Sequence, residues 1–443
     1  QGGIPCTLTD PLPWTPESPH LYQARVRLEA DGEPLDEVNF RFGMREISIE
    51  NGHFRLNGES LWLRGSNLLH EWLWGDKYND NVVQYLVEEA RAMSLNCFRT
   101  HTDPPSTLWA DTADEHGMIF LAEMPLLYNH GDFGYTPEEL EVLHANTLED
   151  TRNWITKLWN HPSILIWVLS NESRNDNAWE SGPLYEMAEQ LDPTRLYMRT
   201  GEEVTGTPDM LDVHTCFNIV RDAEGTLLQD MAELMQRRDP ARPLCNTEYM
   251  NWMWDASMRY FGREPDPRMR YEHAVMGMEH TEAMRRLRFD CVLPYMYAGW
   301  TRLRDRNIWR DDYPSPMAAT LHSSMSPVLA SLDLFDRNHV AGELLEAPLV
   351  LINEEHEDVE ADLVLYLTRE DPLLVPDEDV LADAVWSDTT RLVFAADSTR
   401  TIPVSVRVPE EEGTYYLSAV LRRDGHKPVT SQRMVRAIDP AKH

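Results

Sequence analysis

The stretch from His161 to Ser173, HPSILIWVLSNES, constrains the fold more than any other part of the chain. Its apolar run, Ile164 to Leu169, is too short for a buried helix, is rich in β-branched and aromatic side chains, and shows no polar alternation. Such a run reads as a strand covered on both faces, the condition of strands in parallel α/β sheets. In those sheets ligands sit at the carboxyl ends of the strands. Here that end carries Asn171 and Glu172. Taken alone, the dipeptide is equally compatible with a plain strand-to-loop transition bearing a solvated Glu, so the rest of the chain must decide.

A chain of 443 residues with 42% hydrophobic content can bury a large core and divides into two or three domains by ordinary domain size. Its 40 basic and 75 acidic residues give a net charge of −35, which argues against nucleic acid and anionic membrane as partners. No apolar run has the length of a membrane span and no charged-then-apolar leader is present, so the compartment, cytoplasmic or periplasmic or secreted, is left open. Cys6, Cys97, Cys216, Cys245 and Cys291 are odd in number and widely spaced, which suggests small buried hydrophobes rather than a disulfide framework or a zinc site. The opening residue is Gln1, an expectation of processing or of an incomplete chain.

Residues 1–44 read as strands, with LYQARVRLEA and VNFRFGMREI on either side of an Asp31-Gly32 turn. Residues 45–335 alternate strand and helix signals. Candidate strands are 60–67, 95–101, 118–124, 164–171, 195–200, 210–216, 243–249 and 291–300. Between them, Asn79-Asp80 starts one helix, and Thr136-Pro137-Glu138-Glu139 is a capping box with Pro at the first helical position. Eight strands with intervening helices predict a (β/α)8 TIM barrel, although the fifth and sixth strands leave barely room for a helix. Residues 336–443 return to strands such as ADLVLYL and TYYLSAVLRR and predict an antiparallel β-sandwich.

In such a barrel the strand ends share one pocket. They supply Asn67, His70, Arg99, His101, Glu123, Asn171, Glu172, His214, Glu248, Tyr249 and Trp300, with Trp254 in the loop after the seventh strand. Glu172 and Glu248 suit glycosidic cleavage, one protonating the leaving oxygen while the other attacks or activates water. Their environments must then push their pKa values apart, with Arg99 holding Glu248 ionised. Trp254 and Trp300, with Trp252, offer flat faces for sugar rings. His70, His101 and His214 are possible metal ligands by type, but no H-E-x-x-H or H-x-H spacing accompanies them, and no metal site is assigned.

The motifs PWTPESPHLY (13–22), RFGMREISIENGHFRLNGESLWLRGSN (41–67), DEHGMIFLAEMP (114–125), HPSILIWVLSNES (161–173) and PLCNTEY (243–249) resemble glycoside hydrolase family 2, the β-galactosidase and β-glucuronidase family. The resemblance implies that residues 1–44 are part of an immunoglobulin-like sandwich and that a jelly-roll sugar-binding domain normally precedes it. It implies Glu172 as acid/base and Glu248 as nucleophile of a retaining exo-β-glycosidase, with carboxyls about 5 to 5.5 Å apart. Asn171, Arg99, His101, His70, His214, Tyr249, Trp254 and Trp300 are then substrate-binding candidates. A β-galactosidase is expected, the alternatives being a β-glucuronidase, another β-glycosidase of the family, or a non-catalytic carbohydrate-binding barrel. The partner is an oligosaccharide or β-glycoside. No cofactor is required, a divalent cation is compatible with the family, and oligomerisation is open. Two positions depart from the family pattern: His70 falls one place late after Arg64-Gly65-Ser66-Asn67, and His101 falls early after Arg99-Thr100. A uronic-acid clamp would have to come from Arg302 or Arg304.

Overall fold

The computed structural model describes residues 6–69, 75, 77–127, 133–173, 177–201, 209–214, 235–236, 238–250, 267–297, 316–373, 382 and 384–442. The chain enters through an antiparallel hairpin, β1 (Tyr22–Ala30) and β2 (Glu33–Phe42). The hairpin carries exposed apolar side chains such as Leu28 (60%) and Leu35 (64%). It is moored to the next domain by Trp14, which is fully buried and donates its indole N–H to the carbonyl of Asp114 at 2.9 Å. Arg41 adds ion pairs to Asp111 and Glu115.

A small sheet of β3 (Ile47–Glu50), β4 (His53–Leu56) and β5 (Glu59–Ser60) follows. Ile47, Phe54 and Leu56 of this sheet pack with Trp14 against the barrel's inner residues Leu63, Cys97, Ile119, Leu165, Cys245 and Cys291. The three cysteines are buried and unoxidised, as small hydrophobes, whereas Cys6 is exposed and Cys216 lies outside the described residues.

The barrel strands are β6 (Leu63–Leu68), β7 (Cys97–Thr100), β8 (Ile119–Glu123), β9 (Ile164–Asn171), β10 (Leu196–Thr200), β11 (Leu211–His214), β12 (Leu244–Tyr249) and β13 (Cys291–Pro294). All pair in parallel in the order β10-β9-β8-β7-β6-β13-β12-β11, so the eight expected strands form a TIM barrel. Every residue of β9 is buried, as its unbroken apolar run requires. Where β10 faces β11 there is no backbone ladder among the described residues. Instead Asp209 accepts the Tyr197 N–H at 2.7 Å, and Asp212 accepts the Gly201 N–H at 2.9 Å. The connection between those strands, where little room for a helix was expected, lies mostly outside the described residues.

Helix α1 (Asp80–Ala92) starts at Asn79, whose side chain accepts the Asn81 N–H, and it buries Val82, Val83, Leu86, Val87 and Ala90. Helix α2 (Thr107–His116) precedes β8, and α3 (Pro137–Leu158) opens on the Thr136/Glu139 capping box with Pro137 in its first turn. A π-helical turn (Glu180–Leu184) leads into α4 (Tyr185–Leu191). After β12 and β13 come α5 (Pro267–Arg286) and α6 (Pro316–Ser324). No described helix is long and apolar enough to cross a membrane.

The C-terminal sandwich is built from β14 (Val328–Leu332), β15 (Asn338–Val340), β16 (Leu344–Asn353), β17 (Val359–Thr368), β18 (Ala384–Phe394), β19 (Ser398–Arg407), β20 (Gly413–Arg422) and β21 (Val429–Ile438). Its two sheets run β14-β16-β19 and β15-β21-β20-β17-β18 around a core including Leu349, Leu363, Leu417 and Val435. It therefore begins at Val328, upstream of the expected residue 336. All five residues of β14 are buried, so the strand lacks the alternation by which a half-exposed sandwich strand is recognised.

Barrel and sandwich are joined by polar contacts taken out of water. Glu282 of α5, fully buried, accepts from Ser331 Oγ and Ser431 Oγ at 2.7 Å each and from Arg433 Nη2 at 2.8 Å. Removing one member of such a pair strands the other charge, at a cost of roughly 3–5 kcal/mol. Glu282→Ala is expected to lower the free energy of unfolding by about that amount, and a loss below about 1 kcal/mol in urea unfolding would mean that the junction relaxes or hydrates.

Candidate active site

Arg99, at the carboxyl end of β7 and wholly buried, organises the barrel mouth. Its Nε and Nη2 donate to Glu123 at 3.0 and 2.9 Å, and Nη1 donates to Asn67 Oδ1 and Glu248 Oε2, both at 3.1 Å. Nη2 also reaches Asn171 Oδ1 at 2.6 Å and Thr200 Oγ1 at 3.0 Å. Burial opposes this charge, but the Glu123 and Glu248 carboxylates outweigh it and raise the guanidinium pKa further. Burial pushes the Glu123 carboxyl up, and Arg99 partly holds it back.

Glu172 follows the last residue of β9 in a left-handed conformation, φ 53°, with its N–H bonded to the Thr200 carbonyl at 2.9 Å. A non-glycine residue in that region carries strain, which persists only where the surroundings enforce it. Glu248 reaches the mouth because the β12–β13 pairing slips between Asn246 and Tyr249. The slip sets Glu248 beside Thr247 instead of alternating away from it. The Glu172 side chain is 30% exposed and that of Glu248 13%, so both can be reached from solvent.

Between them stands His214, the last residue of β11. Its Nδ1 lies 2.7 Å from Glu172 Oε1 and 3.5 Å from Glu248 Oε2. Its Nε2 lies 3.3 Å from Thr247 Oγ1 and 3.5 Å from Asp212 Oδ2. Burial is the largest influence on this imidazole and disfavours charge, yet the Glu248 charge and hydrogen bonds to Asp212 and Glu172 prevail and raise its pKa to about 9. His101, 3.7 Å from Glu248 through Nε2, is the opposite case. Burial, with Arg99 and His214 nearby, lowers it well below the ordinary histidine value, so it is neutral at pH 7.

Of the expected site residues, Asn67, Arg99, His101, Glu123, Asn171, Glu172, His214 and Glu248 meet at the mouth. Tyr249 does not: the β12 slip turns it outward, where its hydroxyl meets Thr281 Oγ1 at 2.6 Å and its ring joins the layer between strands and helices. His70, Trp252, Trp254, Trp300, Arg302 and Arg304 lie outside the described residues.

Two positions that shape the mouth escaped the sequence reading. Asp212 accepts from Thr247 N–H at 2.9 Å and Thr247 Oγ1 at 2.7 Å, and so braces the residue beside Glu248. Gly201, at φ 77°, passes so close that a Cβ there would lie 2.8 Å from Glu172 Cγ and 3.0 Å from His214 Nδ1. The signal available was a glycine directly after the strand LYMRT.

Among the described residues, two clusters bring three potential metal ligands within 4.8 Å of one another, Glu172/His214/Glu248 and Asp111/Asp114/His161. Neither fits a cation well. In the first, Arg99 and the His214 ring already supply positive charge to the carboxylates. In the second, Asp114 accepts from Ser163 N–H and contacts His161, while Asp111 pairs with Arg41.

Fold and site together define a class: parallel barrels that carry an acid pair across the mouth. A family model described as "Glycosyl hydrolases family 2, TIM barrel domain" matches residues 47–266, and one described as "Glycosyl hydrolases family 2" matches residues 3–45. The chain belongs to glycoside hydrolase family 2. It is 29% identical over 286 residues to a β-galactosidase of Thermoanaerobacterium thermosulfurigenes, covering 62% of this chain and 36% of that one. It is 28% identical over 220 residues to a putative β-glucuronidase of Formosa agariphila, covering 48% and 20%. The FMN-binding β-glucuronidase from Facaelibacterium prausnitzii L2-6 superposes with a TM-score of 0.61 over 97% of this chain and 64% of that one, at 18% identity, a likeness of fold. The chain thus spans between 18% and 36% of the length of the curated relatives it matches.

Gly201→Ala should push Glu172 off its position, and since a displacement near 1 Å costs about 10²-fold in rate, kcat should fall by that order with the fold intact. Wild-type activity in a variant with a wild-type circular dichroism spectrum would show that the close approach is tolerated. The raised pKa of His214 also has a stability consequence. Its contribution is complete below about pH 6.5, the ordinary histidine value, and is lost as pH rises through about 9. The melting temperature of the wild type should therefore fall more between pH 6.5 and 9.5 than that of His214→Gln. Parallel curves would contradict the charged ring.

Proposed function

We propose that the chain carries the catalytic barrel of a retaining exo-β-glycosidase, with Glu248 as nucleophile and Glu172 as acid/base. The observation that carries this reading is spacing. Oxygens of the two carboxylates lie within 4.8 Å of one another, which suits the short separation of retaining enzymes and leaves no room for the water that inverting enzymes hold between their acids.

The roles follow from the neighbours. Glu248 receives a guanidinium N–H at 3.1 Å, which fixes one of its oxygens in place for attack. Its carboxylate attacks the anomeric carbon, and the aglycone leaves with a proton delivered through Glu172. In the second step Glu172 takes a proton from water, which displaces Glu248 from the sugar. Asn171 has its Oδ1 engaged by Arg99 and Thr200, so its amide nitrogen is the group presented to a sugar hydroxyl. His101, neutral beside Glu248, serves the same pocket.

The substrate proposed is a terminal β-galactoside, the activity named for relatives such as that of Thermoanaerobacterium thermosulfurigenes. A β-glucuronide is the second reading, supported by the name of the Formosa agariphila relative. Turnover of nitrophenyl β-galactoside, β-glucuronide, β-glucoside and β-mannoside by the wild type and by Glu248→Gln separates these readings. One glycoside should be cleaved, with a loss on the order of 10⁴-fold or more in the variant. Sugar binding without turnover of any of the four would favour a carbohydrate-binding barrel instead.

A further inference from the structure

His214 is too deeply placed, and too fully engaged, to serve only as a sugar contact. Thr247 Oγ1 gives its proton to Asp212 at 2.7 Å, so toward His214 Nε2 it can only accept. On the other side Nδ1 meets Glu172 Oε1 at 2.7 Å, a contact that requires one proton between ring and carboxylate, whichever atom it rests on. Both ring nitrogens are therefore set in donor positions when Glu172 is ionised. The charged and titratable groups facing the ring are Glu172 after β9, Glu248 on β12, Asp212 on its own strand, Arg99 on β7 and the neutral His101 just after β7. Among these, Glu248 supplies the largest attraction for positive charge on the ring.

We propose that His214 stores on Nδ1 the proton that Glu172 hands to the leaving oxygen, and that esterification of Glu248 triggers its release. The inference rests on the acid/base and nucleophile roles given above. In the free enzyme the ring is charged and both carboxylates are ionised. As a Glu248 oxygen forms its bond to the anomeric carbon, the carbon–aglycone bond breaks and its electron pair passes to the aglycone oxygen. Glu248 thereby loses its charge, and the attraction holding the proton on His214 falls. The proton moves from Nδ1 to Glu172 Oε1 and on to the aglycone oxygen, leaving a neutral ring and an ionised Glu172, the form needed to take a proton from water. In the second step a proton from the attacking water passes through Glu172 to Nδ1. The water oxygen bonds to the anomeric carbon and the ester electron pair goes back to Glu248, which restores the starting state. His214 is here a positioning and proton-storing residue, acting through Glu172 and not on the sugar.

The test uses leaving groups that differ in their need for a proton, phenyl and 2,4-dinitrophenyl β-galactosides, or the matching β-glucuronides if that sugar is the one cleaved. Wild type, His214→Gln, His214→Asn and Glu172→Gln are compared. For the His214 variants, kcat/KM on the phenyl glycoside should fall by about 10²-fold or more and on the dinitrophenyl glycoside by less than tenfold. The basic limb of the kcat/KM profile should move to lower pH, because Glu172 must then hold its proton unaided. Equal losses on both substrates with an unshifted limb would overturn the proposal and leave a packing role. Leaving-group dependence in Glu172→Gln but not in the His214 variants would overturn it while sparing Glu172. Absence of that dependence in all variants would overturn the acid/base assignment itself.

Discussion

The barrel mouth depends on one buried cation. Arg99 touches Asn67 on β6, Glu123 on β8, Asn171 on β9, Thr200 on β10 and Glu248 on β12, so a single planar group from β7 ties five other strands. A guanidinium suits this work because its donors are fixed in one plane and its charge does not titrate. Buried ion pairs add little net stability once desolvation is counted. What this one supplies is geometry: without it, the buried Glu123 would face Glu248 with no cation between them.

Around that centre the charges are sorted by side. Glu248 is flanked by Arg99, which cannot give up its proton, and Glu172 by His214, which can. His101, buried and near both cations, stays neutral. Two carboxylates within 4.8 Å thus meet different neighbours, and difference of environment is what allows like groups to take unlike roles.

Much of this was legible in the chain. The buried strand from Ile164 announced itself by composition, α3 by its capping box, and the eight strands by their alternation with helices. Arg99, Asn171, Glu172 and Glu248 followed from their places at strand ends. What was hidden depended on register and on contacts distant in sequence. A slip in the β12 pairing decides that Glu248 turns inward and Tyr249 outward, and no local pattern encodes it. Asp212 reads as one acidic residue among 75, and its role emerges only where β11 meets β12 and β10. Gly201 matters through a close approach that only coordinates reveal. The start of the sandwich was misplaced because β14 is covered on both faces and so resembles a barrel strand.

The junction of β10 and β11 has a further meaning. Where the other neighbours share a ladder of backbone hydrogen bonds, this pair is laced by the side chains of Asp209 and Asp212, and Asp212 also braces Thr247 and His214. Backbone ladders are indifferent to side-chain identity, whereas a carboxylate clasp is not. Asp212 therefore belongs to the wall of the barrel and to the arrangement of its mouth at once. A substitution at Asp212 is thereby felt in the wall and at the mouth together.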